Sequence, residues 1–98
     1  MLIVTGSVRA REEHVERVVA LSLEHVHRSR SEPGCLLHSV HRDVEDPLRL
    51  VFVEHWADVA TLRAHFAVPA SGAFVREVAA LADGPPGMSV YEANPLEM

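Results

Sequence analysis

Seven of the 98 residues are histidine and fourteen are Asp or Glu, a composition that raises acid–base and metal chemistry together. Three residues on consecutive segments stand out: Glu54, Trp56 and His65. Glu54 interrupts the apolar run Leu50-Val51-Phe52-Val53. A carboxylate inside such a run must find a partner or hold a proton, because an unpaired buried charge is costly. His65 follows Leu62 by three residues, so both fall on one side of a helix. An imidazole with a carboxylate to orient it is the common equipment for moving protons near neutral pH. The competing reading is structural: Glu54 ties down a strand end, and Trp56 and His65 complete the rim of the core.

The remaining histidines offer no metal spacing within any one element. His25 and His27 stand about 200° apart around a helix. His38 and His41 point to opposite faces of a strand. No pair lies at i, i+4 on a helix or i, i+2 on a strand, and no cysteine joins them, so no metal site is expected. His14, His25 and His27 read as solvated helix positions. The single cysteine, Cys35, reads as a small apolar side chain and leaves no partner for an internal disulfide. No Ser-His-Asp motif, phosphate-binding loop or dinucleotide fingerprint is present, so no cofactor is expected either.

The elements that must position Glu54, Trp56 and His65 follow from periodicity. Leu2 to Ala10 alternates as a strand, with Gly6 leaving room in its middle. Arg11-Glu12-Glu13 opens a helical stretch whose stripe is Val15, Val18, Val19, Ser22 and Val26, with Leu23 beside it. Pro33-Gly34 ends it. Cys35 to Val44 and Arg49 to Trp56 alternate on either side of the turn residues Glu45-Asp46-Pro47, which predicts an antiparallel hairpin. The second of these strands is apolar on both faces, as a central strand covered on both sides would be. Asp58 caps a second helix through Phe66, Val68-Pro69 breaks or kinks it, and Ser71 to Ala82 continues the pattern. After Asp83 to Gly87, Met88 to Ala93 forms a last strand. The order β-α-β-β-α-β predicts a ferredoxin-like α+β fold with a four-stranded antiparallel sheet, as one domain over residues 1–98.

Composition limits the partners. A net charge of −5, with nine basic residues that are all arginine, argues against nucleic acid. No apolar window is long enough to span a membrane and no secretory leader pattern opens the chain, so a cytoplasmic protein is expected. With 48% hydrophobic residues, the chain holds more apolar surface than so small a domain hides, and a homodimer is the simplest outlet.

The succession Glu32-Pro33-Gly34-Cys35-Leu36, Asp46-Pro47, Glu54-His55-Trp56-Ala57-Asp58, Leu62 and His65-Phe66 resembles the antibiotic biosynthesis monooxygenase family of small dimeric α+β barrels. The resemblance implies two sheets closing across a two-fold axis. It also implies a cofactor-independent monooxygenase that oxidises a small aromatic phenol or quinol with molecular oxygen. On that reading His65 is the base, Glu54 its orienting partner and Trp56 the third member of the catalytic set, while Gly6, Val8, Phe52, Trp56, Phe66 and Phe74 wall an apolar pocket. Two departures are visible. The histidine that many relatives carry in a Pro-His-Phe stretch is absent from Pro69-Ala70-Ser71-Gly72. Gly6, His65 and Val75 also stand where heme-degrading relatives carry Asn, Trp and His, so heme degradation is not implied. An isomerase or ring-opening enzyme on a small oxygenated metabolite, and a non-catalytic dimer that binds a small hydrophobic ligand, are the alternatives.

Overall fold

The computed structural model describes all 98 residues. Its elements are β1 (Leu2–Arg9), a short 3-10 turn (Glu12–His14) leading into α1 (Val15–Ser29), β2 (Cys35–Arg42), β3 (Arg49–Trp56), α2 (Val59–Ala67), α3 (Pro69–Leu81) and β4 (Gly87–Glu92). The strands form one antiparallel sheet in the order β2-β3-β1-β4, which is the ferredoxin-like arrangement. The second helical stretch is two helices. Val68 takes an extended conformation because the proline ring after it disfavours the helical one, and Pro69 then opens α3 where no amide hydrogen is needed.

Period-2 alternation on β3 buries Leu50, Phe52, Glu54 and Trp56 and leaves Arg49, Val51, Val53 and His55 half-buried on the other face. On α1 the buried stripe is Val18, Leu21, Ser22, His25, Val26 and Ser29, spaced at three and four residues throughout. The sequence reading placed Leu23 beside the stripe; it is exposed, and Leu21 packs in its stead.

Two apolar clusters result. One joins Val8, Ala10, Val18, Leu21, Val26, Leu50, Phe52, Val78 and Ala82. The other joins Leu2, Val4, Trp56 and Leu62. Trp56 is wholly buried, and truncating a core tryptophan costs about 3–5 kcal/mol. Along β3, Phe52 belongs to the first cluster and Trp56 to the second, and Glu54 stands between them. The polar site therefore sits at the seam of the core. No helix is long and apolar enough to cross a membrane.

Candidate functional site

Four local features bring the polar groups to this seam. The α1 stripe runs to its last turn and carries His25 inward. A bulge between Cys35 and Leu37 shifts the β2 register by one residue, so Cys35 faces the Trp56 position while His38 lies opposite Glu54. Asp58 accepts the Thr61 amide hydrogen at 2.8 Å and caps α2, whose Leu62 and His65 then face the sheet one turn apart. Gly34, at φ +77°, turns the chain between α1 and β2 where a Cβ would overlap the Thr61 side chain. That turn sets Glu32 against α2.

The outcome corrects the expectations for His25, Glu54 and Trp56. His25 is not a solvated helix position: it is buried, 5% exposed, and stacks flat on Phe74 with ring centroids 4.1 Å apart. Burial is the main reason its pKa falls from 6.5 to about 3, and the neighbouring His38, His65 and Arg28 add to the fall while Glu54 opposes it. Arg28 Nη2 lies 2.9 Å from His25 Nδ1, which makes that nitrogen the acceptor. His27 is exposed and His14 half-buried, nearer the sequence reading.

His65 is buried, and its Nδ1 lies 2.8 Å from Glu32 Oε1. Glu32, not Glu54, is the carboxylate that orients the ring. Glu54 Oε1 lies 3.8 Å from His65 Nε2, beyond a hydrogen bond, and receives the Trp56 indole N–H at 2.8 Å. Burial pushes the Glu54 pKa up, but His38, the Trp56 hydrogen bond and His65 together outweigh it, and the carboxyl titrates below its ordinary value. His38 Nε2 stands 3.3 Å from Glu54 Oε1 yet is not aligned for a hydrogen bond, so both ring nitrogens of His38 are unpartnered. Desolvation, with the nearby Glu32 and Glu54 carboxylates, raises the Cys35 pKa; a thiol so protonated is a poor nucleophile.

A cavity of about 580 Å³ opens over the seam, within the range of small-molecule sites. Gly6, Val8, Phe52, Phe66, Phe74, Glu54 and His65 all line it. Trp56 does not; it lies beneath, as support for Glu54. At Gly6 a Cβ would meet Gly87 O at 3.5 Å, ordinary contact, so the glycine clears floor space rather than relieving strain. The lining also includes His25, Ser71 and Arg76, none of which the sequence places at a cavity. Ser71 is 4% exposed and its hydroxyl has no partner, an idle donor at the wall. A serine two residues past a helix-opening proline gave no sign of this, since only the turn at Val68 aims α3 over the sheet.

The model of the antibiotic biosynthesis monooxygenase family matches residues 1–77. The chain belongs to that family. A crystal structure described as an antibiotic biosynthesis monooxygenase superposes with a TM-score of 0.89 at 30% identity, covering 97% of this chain and all of that one. A suggested family member from Deinococcus radiodurans gives a TM-score of 0.94 at 26% identity, over 100% of this chain and 97% of its own. Among curated proteins, the uncharacterised protein sll1783 of Synechocystis is 31% identical over 91 residues, or 93% of this chain; the chain spans 62% of that relative's length. The family thus accounts for the fold.

Proposed function

We propose that this protein oxidises a small aromatic phenol or quinol with molecular oxygen, the substrate itself supplying the electrons. The observation that carries the reading is the meeting, in one cavity, of an oriented base, an idle hydroxyl donor and aromatic walls. Glu32 holds the proton on His65 Nδ1 and leaves Nε2 free to take the phenolic proton. Ser71 donates to the ring oxygen that becomes a carbonyl. Phe52, Phe66 and Phe74 line the cavity and bind the ring. In the overall change a ring C–H becomes C=O and the phenol becomes the second carbonyl. One oxygen of O₂ enters the ring, and the other leaves as water with the two hydrogens lost.

The test is a panel of phenols and quinols incubated with chelator-treated protein under ¹⁸O₂, with oxygen uptake and product mass followed together. The expected product gains one labelled oxygen, and His65→Ala lowers kcat by about a hundredfold or more, the range of a lost general base. Glu54→Gln lowers it less, since Glu54 does not touch the base. Substrate loss without oxygen uptake would replace the reading with isomerisation or ring opening. Tight binding with no turnover by any compound would leave a small-ligand-binding protein.

A further inference from the structure

We propose that His25, His38 and His65 form a binding site for one divalent first-row transition-metal ion, with the Glu54 carboxylate beside it. The three rings come from α1, β2 and α2, which is why no spacing within one element announced them. Each offers a nitrogen, and these nitrogens lie within 4.8 Å of one another. The ring centroids are 5.3, 5.3 and 5.6 Å apart, a nearly equilateral triangle. Three imidazoles on a tetrahedral ion, each with a metal–nitrogen distance of about 2.0–2.1 Å, hold their ring centres about 5 Å apart. Small side-chain rotations therefore close the site.

A second observation points the same way. His38 is 2% exposed and neither of its nitrogens has a hydrogen-bond partner. Leaving a buried polar group unsatisfied is unfavourable, and an ion supplies the missing partner. Glu32 on His65 Nδ1 is the carboxylate–imidazole arrangement that fixes a ligand histidine, and it frees Nε2 on the side of Glu54. Neutral imidazoles with one carboxylate suit Zn²⁺, Cu²⁺, Ni²⁺ or Fe²⁺ over Mg²⁺ or Ca²⁺. The arrangement also makes a demand on Arg28. His25 Nδ1 now accepts from that guanidinium, so ligation through the other nitrogen moves the ring proton to Nδ1 and releases Arg28.

This inference goes beyond the oxidation reading and does not rest on it. An ion on His65 occupies the nitrogen that would take the phenolic proton, so the two uses exclude one another within one molecule. Activity in chelator tests the first reading, and ion binding to untagged protein tests this one. Stripped protein is titrated with Zn²⁺ by calorimetry and with Co²⁺ by visible absorption, and imidazole ¹⁵N spectra are recorded on the Zn²⁺ series. The expected result is about one ion per chain, with nitrogen shifts at His25, His38 and His65 and none at His14, His27, His41 and His55. His38→Phe should weaken binding by about a hundredfold or more, and the exposed control His27→Phe should leave it unchanged. Uptake well below one ion per chain by the wild-type protein, or ¹⁵N shifts confined to the exposed histidines, overturns the proposal. The spectra decide the matter even where His38→Phe does not fold.

Discussion

His25 shows how a single side chain can be legible in position and misread in role. It lies three residues after Ser22 and four after Leu21, in step with the buried stripe of α1. Its polar type argued for solvent, and only the packing of Phe74 over it and of His38 and His65 beside it explains the burial. The consequence is a pH dependence with a definite sign. In the unfolded chain this ring takes up a proton near 6.5; in the fold it refuses one until about pH 3, held neutral by burial and by His38, His65 and Arg28 against the pull of Glu54. Between those limits the unfolded state binds more protons, so stability falls as pH drops through the window. Above 6.5 there is no loss from this group, and below about 3 the loss is complete. Urea denaturation of chelated protein between pH 7 and 4 should show a slope contribution of up to about 1.4 kcal/mol per pH unit from the ring. His25→Phe, which keeps the stack on Phe74, should remove that contribution, and parallel curves for the two proteins would refute it. Glu54, with its lowered pKa, adds its own loss from the ordinary carboxylate value downward, where the unfolded chain takes up a proton that the folded carboxyl still refuses.

At the level of elements, the sequence was most readable where local chemistry decides. The Asp58 cap, the turn at Glu45-Asp46-Pro47 and the break at Val68-Pro69 are each set by a residue or two, and each stands where the pattern placed it. Less readable was the bulge between Cys35 and Leu37, which depends on how β2 meets β3 and not on β2 itself. Without that one-residue shift, strict alternation along β2 would leave Cys35 and Leu37 on the same face. The Glu32–His65 pair was hidden for a similar reason, since 33 residues separate its members and a single glycine joins their surroundings. Gly34 therefore carries a prediction about site and stability together. Alanine there must hold a left-handed backbone, at about 1–2 kcal/mol, and must also displace Thr61 from the α2 cap. Gly34→Ala should lower the denaturation midpoint by more than the backbone cost alone. It should also loosen the Glu32–His65 contact, visible as a changed imidazole ¹⁵N spectrum for His65. An unchanged midpoint would show that the α2 start yields easily and that Glu32 is positioned by something else.

For the molecule as a whole, one face of the sheet is covered by helices and the other is not. The open face carries Ile3, Thr5, Val51, Val53, His55 and Tyr91, the last 55% exposed. The two-sided apolarity of β3 was plain in the sequence, and the fold shows why it matters, for β3 is an inner strand whose back has no partner within the chain. A second copy packed by two-fold symmetry would cover it, because a two-fold interface joins the same patch on each subunit. Val53 sits at the middle of that face, paired with Thr5 on β1 and Ser39 on β2. This gives Val53→Asp a clear logic. On a lone subunit the carboxylate would stand in water between two hydroxyl side chains, and the change would be nearly silent. In a dimer it would bury two like charges with no counter-ion, a cost of several kcal/mol. Sedimentation equilibrium of the wild-type protein at micromolar concentration should return twice the chain mass. The variant should dissociate at concentrations about a hundredfold higher, or precipitate if the exposed face cannot stay in water. A wild-type protein sedimenting as one chain, with Val53→Asp melting at the same temperature, would mean that the open face is stable in solvent and that the barrel never closes.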